Sequence, residues 1–278
     1  NAIKVFELLD HLEIDTFYLL GHSMGGMIVQ EMAALFPERI KKLICFGTGS
    51  IGVLPNRFET IEESRNKIKE KGIKVISEIE FAGYYTKAKT ICITGSNGKT
   101  TTKNLIYSIL SESYNVIKTK GNLNNHIGVP LSLLHIKDDI DIAIIEMGAN
   151  HIGEIKTLCE IAMPDFGLIT NYGYAHLEGF GDFEGVIKGK SEIFDYLTQN
   201  YGHIILNNDD TLQLENCKGD LAITYGQKVD SEFIFKYKKE DDFLLIENDG
   251  DKYKCEIYGD YNFSNIAASI TIGKFIDL

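Results

Sequence analysis

The chain has 278 residues, 44% of them hydrophobic and 24% charged, with a formal charge of −12. That composition fits one or two globular domains and excludes collagen-like, disulfide-scaffold and disordered chains. The acidic balance argues against nucleic-acid binding, no apolar run reaches the ~20 residues of a membrane span, and five cysteines without a CxxC spacing read as buried thiols of a reducing cytoplasm.

The first predicted element is a helix over residues 1–12, with Ile3, Val5, Phe6, Leu8, Leu9 and Leu12 at helical spacing. No basic and apolar leader is present, so no signal peptide is expected. Residues 17–20 (FYLL) form an apolar strand, and Gly21-His22-Ser23-Met24-Gly25-Gly26 follows. Residues 27–36 form a helix ended by Pro37, and residues 40–46 a second strand. A G-x-S-x-G turn between strand and helix leaves no room for flanking side chains and exposes the serine hydroxyl at a helix N-terminus. From residue 1 to about 80 the chain resembles the α/β-hydrolase family, with residues 54–75 similar to the start of its cap. The resemblance implies Ser23 as nucleophile and the Met24 N–H as an oxyanion donor, which makes a serine esterase the alternative function. The acid and histidine that should follow the serine are not found after residue 86. A serine without a base is a poor nucleophile, so an inert Ser23 is expected.

Residues 61–74 (IEESRNKIKEKGIK) read as a charged helical segment. The composition then shifts. Residues 1–86 carry 10 basic and 12 acidic side chains, residues 87–278 carry 18 and 28. The expected division is an incomplete hydrolase-like segment over 1–86 and a second domain over 87–278. Both ends of the chain fall inside helix-like stretches, so a fragment cut at both ends is expected.

Residues 89–93 (KTICI) read as a buried strand, followed by Thr94-Gly95-Ser96-Asn97-Gly98-Lys99-Thr100-Thr101-Thr102 and a helix from about 103 to 110. Two glycines let such a loop wrap its N–H groups around a phosphate. Lys99 adds positive charge, and the Thr100 hydroxyl is placed for Mg²⁺. The general phosphate loop would have its first glycine at position 93, where Ile stands, so this is a shorter G-x-x-G-K-T form. A strand over 142–145 ends at Glu146, and an unpaired buried carboxylate is costly, so a metal or cation partner is expected there. Residues 168–171 form another strand end, followed by Ala175-His176-Leu177-Glu178. Lys188 to Phe194 is read as opening a helix, which puts Lys190 near a helix start, an unfavourable place for a cation. Residues 203–206 form a strand, and Gly259-Asp260-Tyr261-Asn262 leads into a terminal helix with Asn262 as a candidate N-cap.

The short loop and the order of these motifs resemble the Mur ligase family over residues 87–278, that family's central ATP-binding domain. The resemblance implies an α/β fold, a phosphate-loop-containing, mostly parallel sheet with flanking helices. It implies ATP and Mg²⁺ as cofactors. Gly95, Ser96, Asn97, Gly98, Lys99, Thr100 and Thr101 would meet the nucleotide, and Thr100, Glu146, His176 and Lys190 the metal, with Lys190 carbamylated as in that family. Asn122 and Asn125 in GNLNNHIGVP would meet the substrate, and Asn262 and Asn265 the adenine, although Tyr261 stands where many members have His. GNLNNHIGVP, EMGANH and AHLEGFG are most similar to the family branch that adds a dipeptide. The implied reaction is ATP-dependent amide ligation in peptidoglycan precursor synthesis. The γ-phosphoryl group goes to the terminal carboxylate of a UDP-linked muramoyl tripeptide, and the amine of D-alanyl-D-alanine then displaces phosphate. Lys99, His176 and Lys190 would be the catalytic residues. The family's N-terminal UDP-binding and C-terminal domains are not found, so weak Mg²⁺-ATP binding without turnover is expected. A non-catalytic nucleotide-binding module is the remaining alternative.

Overall fold

The structure, a computed structural model, describes residues 2–22, 24–46, 86–240, 243–257 and 259–276. The chain divides into two compact units, residues 1–81 and 82–278.

In the first unit, α1 (Ala2–His11), β1 (Phe17–His22), α2 (Met24–Leu35) and β2 (Ile40–Phe46) follow one another, with β1 and β2 parallel. Phe6, Leu19, Val29, Met32, Ala33 and Leu43 form the core. Arg39 fastens the connection: Nη1 meets Asp10 Oδ1 at 2.6 Å, and Nε and Nη2 donate to the Asp15 and Ile14 carbonyls. Helix α2 starts three residues earlier than expected and runs through Gly25 and Gly26. Strand and helix approach closely there: a Cβ on Gly21 would overlap Val29 and stand 2.6 Å from Gly26 Cα. Ser23, the cap-like stretch 54–75 and the charged segment 61–74 lie outside the described residues.

In the second unit, seven strands form one parallel sheet. They are β3 (Lys89–Thr94), β4 (Val116–Lys118), β5 (Ile142–Glu146), β6 (Phe166–Ile169), β7 (His203–Asn207), β8 (Ala222–Gly226) and β9 (Phe233–Ile234), in the order β4-β5-β3-β6-β7-β8-β9. Strands β5 and β6 are buried throughout, which suits parallel strands covered on both faces. The helices are α3 (Lys99–Leu110), α4 (Gly128–Leu134), α5 (Glu154–Ala162), α6 (Leu177–Phe180), α7 (Phe183–Gln199), α8 (Thr211–Asn216) and α9 (Phe263–Ile276). Ile91, Ile93, Ile106, Ile144, Leu168 and Ile270 belong to one core. The strand order reverses about β3, so the crevice at its carboxyl end is where a ligand of such a sheet binds.

Three local readings need correction. Helix α7 starts at Phe183, because Asp182 caps it by accepting from Gly185 N at 2.7 Å and Phe183 stacks on Tyr174 at 4.3 Å. Lys190 is therefore in mid-helix, and no helix-start penalty acts on it. Helix α3 starts at Lys99, so Lys99 and Thr100 form its first turn. Of the described cysteines, Cys92 and Cys159 are buried but Cys217 and Cys255 are only half-buried. A small antiparallel sheet, β10 (Lys236–Lys239), β11 (Leu244–Asn248) and β12 (Asp251–Cys255), was not anticipated. Its signal was Asp249-Gly250, both at positive φ between paired Asn248 and Asp251.

Candidate functional site

The loop after β3 is clamped by the end of β6. Ser96 N donates to the Asn171 carbonyl (3.1 Å), Asn97 N to Asn171 Oδ1 (3.1 Å), and Thr170 Oγ1 to the Asn97 carbonyl (2.5 Å). Ser96 Oγ exchanges hydrogen bonds with the Gly173 backbone at 2.9 and 3.0 Å. Gly95 has φ 136°, and a Cβ there would overlap Thr170 Oγ1 and approach Thr170 N at 2.9 Å. Gly95→Ala is therefore expected to cost about 1–3 kcal/mol and to weaken nucleotide binding, checked by urea melts and an ATP titration. Unchanged stability would show that the loop has room for a side chain.

Beyond the loop, the N–H groups of Gly98, Lys99, Thr100 and Thr101 have no acceptor among the described residues. Four open donors at the start of a 12-residue helix make an anion site. Lys99 Nζ folds back over the loop, donating to the Gly95 (2.7 Å) and Ser96 (3.0 Å) carbonyls, and burial lowers its pKa.

Glu146, at the end of β5, is 2% exposed. Its Oε2 accepts from Thr100 Oγ1 (3.0 Å) and from Lys103 Nζ (2.9 Å), and its Oε1 from Asn124 Nδ2 (2.9 Å). The expected partner of this carboxylate is thus Lys103, itself 2% exposed, which sequence reasoning missed. Thr100 Oγ1 and Glu146 are hard oxygen donors, and such a pair, with phosphate and water completing the sphere, fits Mg²⁺. Among the described residues no group of three or more His, Cys, Asp or Glu side chains comes together.

A cleft of about 700 Å³ opens beside the loop. It brings together Gly95, Ser96, Lys99, Asn125, His176 and Lys190 of the expected residues, and adds Asn124, His126, Asn150 and Thr157. His176 has φ 57°, a left-handed conformation that a non-glycine residue adopts at a cost. Lys190 is 2% exposed and has no hydrogen-bond or ion-pair partner among the described residues; its ammonium lies 5.5 Å from the Phe180 ring centre. Burial, and then the nearby Lys99 charge, bring its pKa down to about 8. The folded state thus disfavours the ammonium. That penalty is present below pH 8 and is relieved as pH rises towards 10.5, the value of an unburied lysine. In CO₂-free buffer, wild type is expected to gain stability relative to Lys190→Met between pH 8 and 10.5, and a flat difference would contradict this.

Asn122, Asn262 and Asn265 do not line the cleft. Asn122 is exposed. Asn125 Oδ1 accepts from Ile127 N (3.1 Å) and Gly128 N (2.9 Å), shaping its own loop. Asn265 accepts from Thr102 Oγ1 (3.1 Å) and donates to Asn262 Oδ1 (3.1 Å), both asparagines being buried behind the phosphate loop. Tyr261 is exposed.

A parallel sheet with a glycine loop and a helix N-terminus at its switch point, a lysine over the loop and a carboxylate on the neighbouring strand define a phosphate-loop α/β protein. Residues 93–273 match the Mur ligase middle domain, and the chain belongs to the Mur ligase family. Residues 1–69 match the alpha/beta hydrolase fold. The UDP-N-acetylmuramoyl-tripeptide–D-alanyl-D-alanine ligase of Bacillus subtilis (strain 168) is 36% identical over 193 residues, 68% of this chain and 42% of that protein. The ligase of the same name from Escherichia coli (strain K12) is 47% identical over 138 residues, 49% of this chain and 30% of that protein. The chain thus spans less than half the length of these curated relatives. The crystal structure of MurF from Acinetobacter baumannii is similar with a TM-score of 0.66 at 25% identity, covering 80% of this chain and 56% of that one. The fold of a Thermotoga maritima MurF ligase crystallised with ADP is similar with a TM-score of 0.64 at 24% identity, covering 95% of this chain and 61% of that one.

Proposed function

We propose that residues 87–278 are the ATP-binding domain of a cytoplasmic ligase that joins D-alanyl-D-alanine to a UDP-linked muramoyl tripeptide, and that residues 1–86 are an incomplete hydrolase-like segment. The observation that carries this reading is the convergence of Gly95, Ser96, Lys99, His176 and Lys190 on one cleft. The names of the curated relatives support the choice of substrates.

The roles follow from charge. The N–H groups of Gly98 to Thr101 hold the outer phosphates, with Gly95, Ser96 and Asn97 setting the curve of the loop. Lys99 swings from the Gly95 and Ser96 carbonyls to the transferred phosphoryl group, where charge spreads over its oxygens. Thr100 and Glu146 would hold Mg²⁺, which when bound neutralises phosphate charge. A pKa of about 8 leaves roughly a tenth of Lys190 as free amine at pH 7, far more than an unburied lysine would hold. Its nitrogen attacks CO₂, forms an N–C bond and sheds a proton, giving a carbamate that with His176 would hold a second ion. Asn122 and Asn125 border the muramoyl substrate, and Asn262 and Asn265 the adenine.

A domain exchange tests the assignment. Residues 87–278 replace the matching segment of the Bacillus subtilis ligase, and the chimera receives ATP, Mg²⁺, UDP-muramoyl tripeptide and D-alanyl-D-alanine. The expected products are the UDP-muramoyl pentapeptide and ADP. A folded chimera that binds ATP and makes neither would favour a non-catalytic nucleotide-binding module.

A further inference from the structure

We propose that Lys103 is a positioning residue that couples cation occupancy at Glu146 to the 119–125 loop; this rests on reading Thr100 and Glu146 as the cation site. Thr100 and Lys103 are three residues apart on α3 and so share one helix face. Both reach the same oxygen, Glu146 Oε2, at 3.0 and 2.9 Å. The second acceptor of the Lys103 ammonium is the Gly121 carbonyl, at 2.8 Å.

The loop meets Glu146 at further points. Thr119 Oγ1 accepts from Glu146 N (3.0 Å), Asn124 Nδ2 donates to Glu146 Oε1 (2.9 Å), and the Asn124 carbonyl accepts from Gly148 N (2.7 Å). One carboxylate is therefore the hub between helix α3 and a loop whose Asn124 and Asn125 line the cleft.

The charge count makes the hub a switch. Lys103 and Glu146 are each 2% exposed and neutralise one another. A divalent cation held by Thr100 and Glu146 would compete with the ammonium for the carboxylate. Two cations at one carboxylate repel strongly in a buried site. Lys103 is then left with Gly121, a neutral acceptor, and the loop loses its charge-assisted tie. Coupling is reciprocal: as the cation loosens Lys103, so Lys103 weakens binding of the cation.

A lysine that merely balances charge would also weaken cation binding, but it would leave the 119–125 loop indifferent to the cation, so the loop readout separates the two. Mg²⁺ is titrated calorimetrically into the full chain with ADP present, for wild type and Lys103→Met. The expected result is binding about 10-fold tighter in the variant. In wild type, amides of residues 119–125 are expected to exchange faster with Mg²⁺ and ADP than with ADP alone. Equal or weaker Mg²⁺ binding by the variant, or unchanged exchange in wild type, would overturn the proposal. If Lys103→Met does not fold, Lys103→Gln carries the same prediction, and the exchange measurement needs no variant. Failure of wild type to bind Mg²⁺ with ADP would overturn the cation-site reading itself, and the proposal with it. Wild-type binding that Lys103→Met leaves unchanged would overturn the proposal alone.

Discussion

Glu146→Ala is expected to destabilise the protein by roughly 3–5 kcal/mol, because it strands a buried ammonium. Lys103 is 2% exposed, and its ion-pair partner among the described residues is Glu146. Without the carboxylate it keeps only the Gly121 carbonyl, while Thr100 Oγ1 and Asn124 Nδ2 lose an acceptor. In a chain of this size the melting temperature should fall by on the order of 10 °C. Adding Lys103→Met to Glu146→Ala removes the unpaired charge and should restore much of the loss, a coupling that a double-mutant cycle measures. A single-variant loss below about 1 kcal/mol would mean that solvent screens the pair.

Lys99→Ala is expected to weaken Mg²⁺-ATP binding by on the order of 10- to 100-fold, the worth of a charged hydrogen bond. In a complete ligase carrying this domain, phosphoryl transfer should fall by on the order of 10³-fold, since Lys99 would neutralise charge that develops in transfer. The folded chain should survive: Lys99 leaves only two loop carbonyls, which border an open cleft and can turn to water. Equal ATP binding by variant and wild type, measured by calorimetry, would remove the phosphate-loop role from Lys99.

The phosphate loop was legible because its chemistry is local: a strand followed by two glycines, a lysine and a threonine within six residues dictates a turn onto a helix N-terminus. The parallel sheet was legible because β3 and β5 are short apolar runs separated by helical patterns. Lys103 was not, since nothing in TTTKNLIYSIL marks one lysine as buried. Its fate is set by a carboxylate 43 residues away. Nor could three neighbouring asparagines be ranked. Asn124 reaches Glu146 because Gly148 N fixes its carbonyl, whereas Asn122 points to solvent. Lys190 was misplaced relative to its helix because the start signal, Asp182 capping Gly185 with Phe183 on Tyr174, sits between glycines that read as a loop.

The most direct measurement is a crystal structure of the chain with Mg²⁺ and ADP. The expected result is the β-phosphate over the N–H groups of Gly98 to Thr101, with the ion between Thr100 Oγ1 and Glu146. Nucleotide bound elsewhere, or absent from the loop at saturating concentration, would contradict a Mg²⁺-nucleotide site at the end of β3.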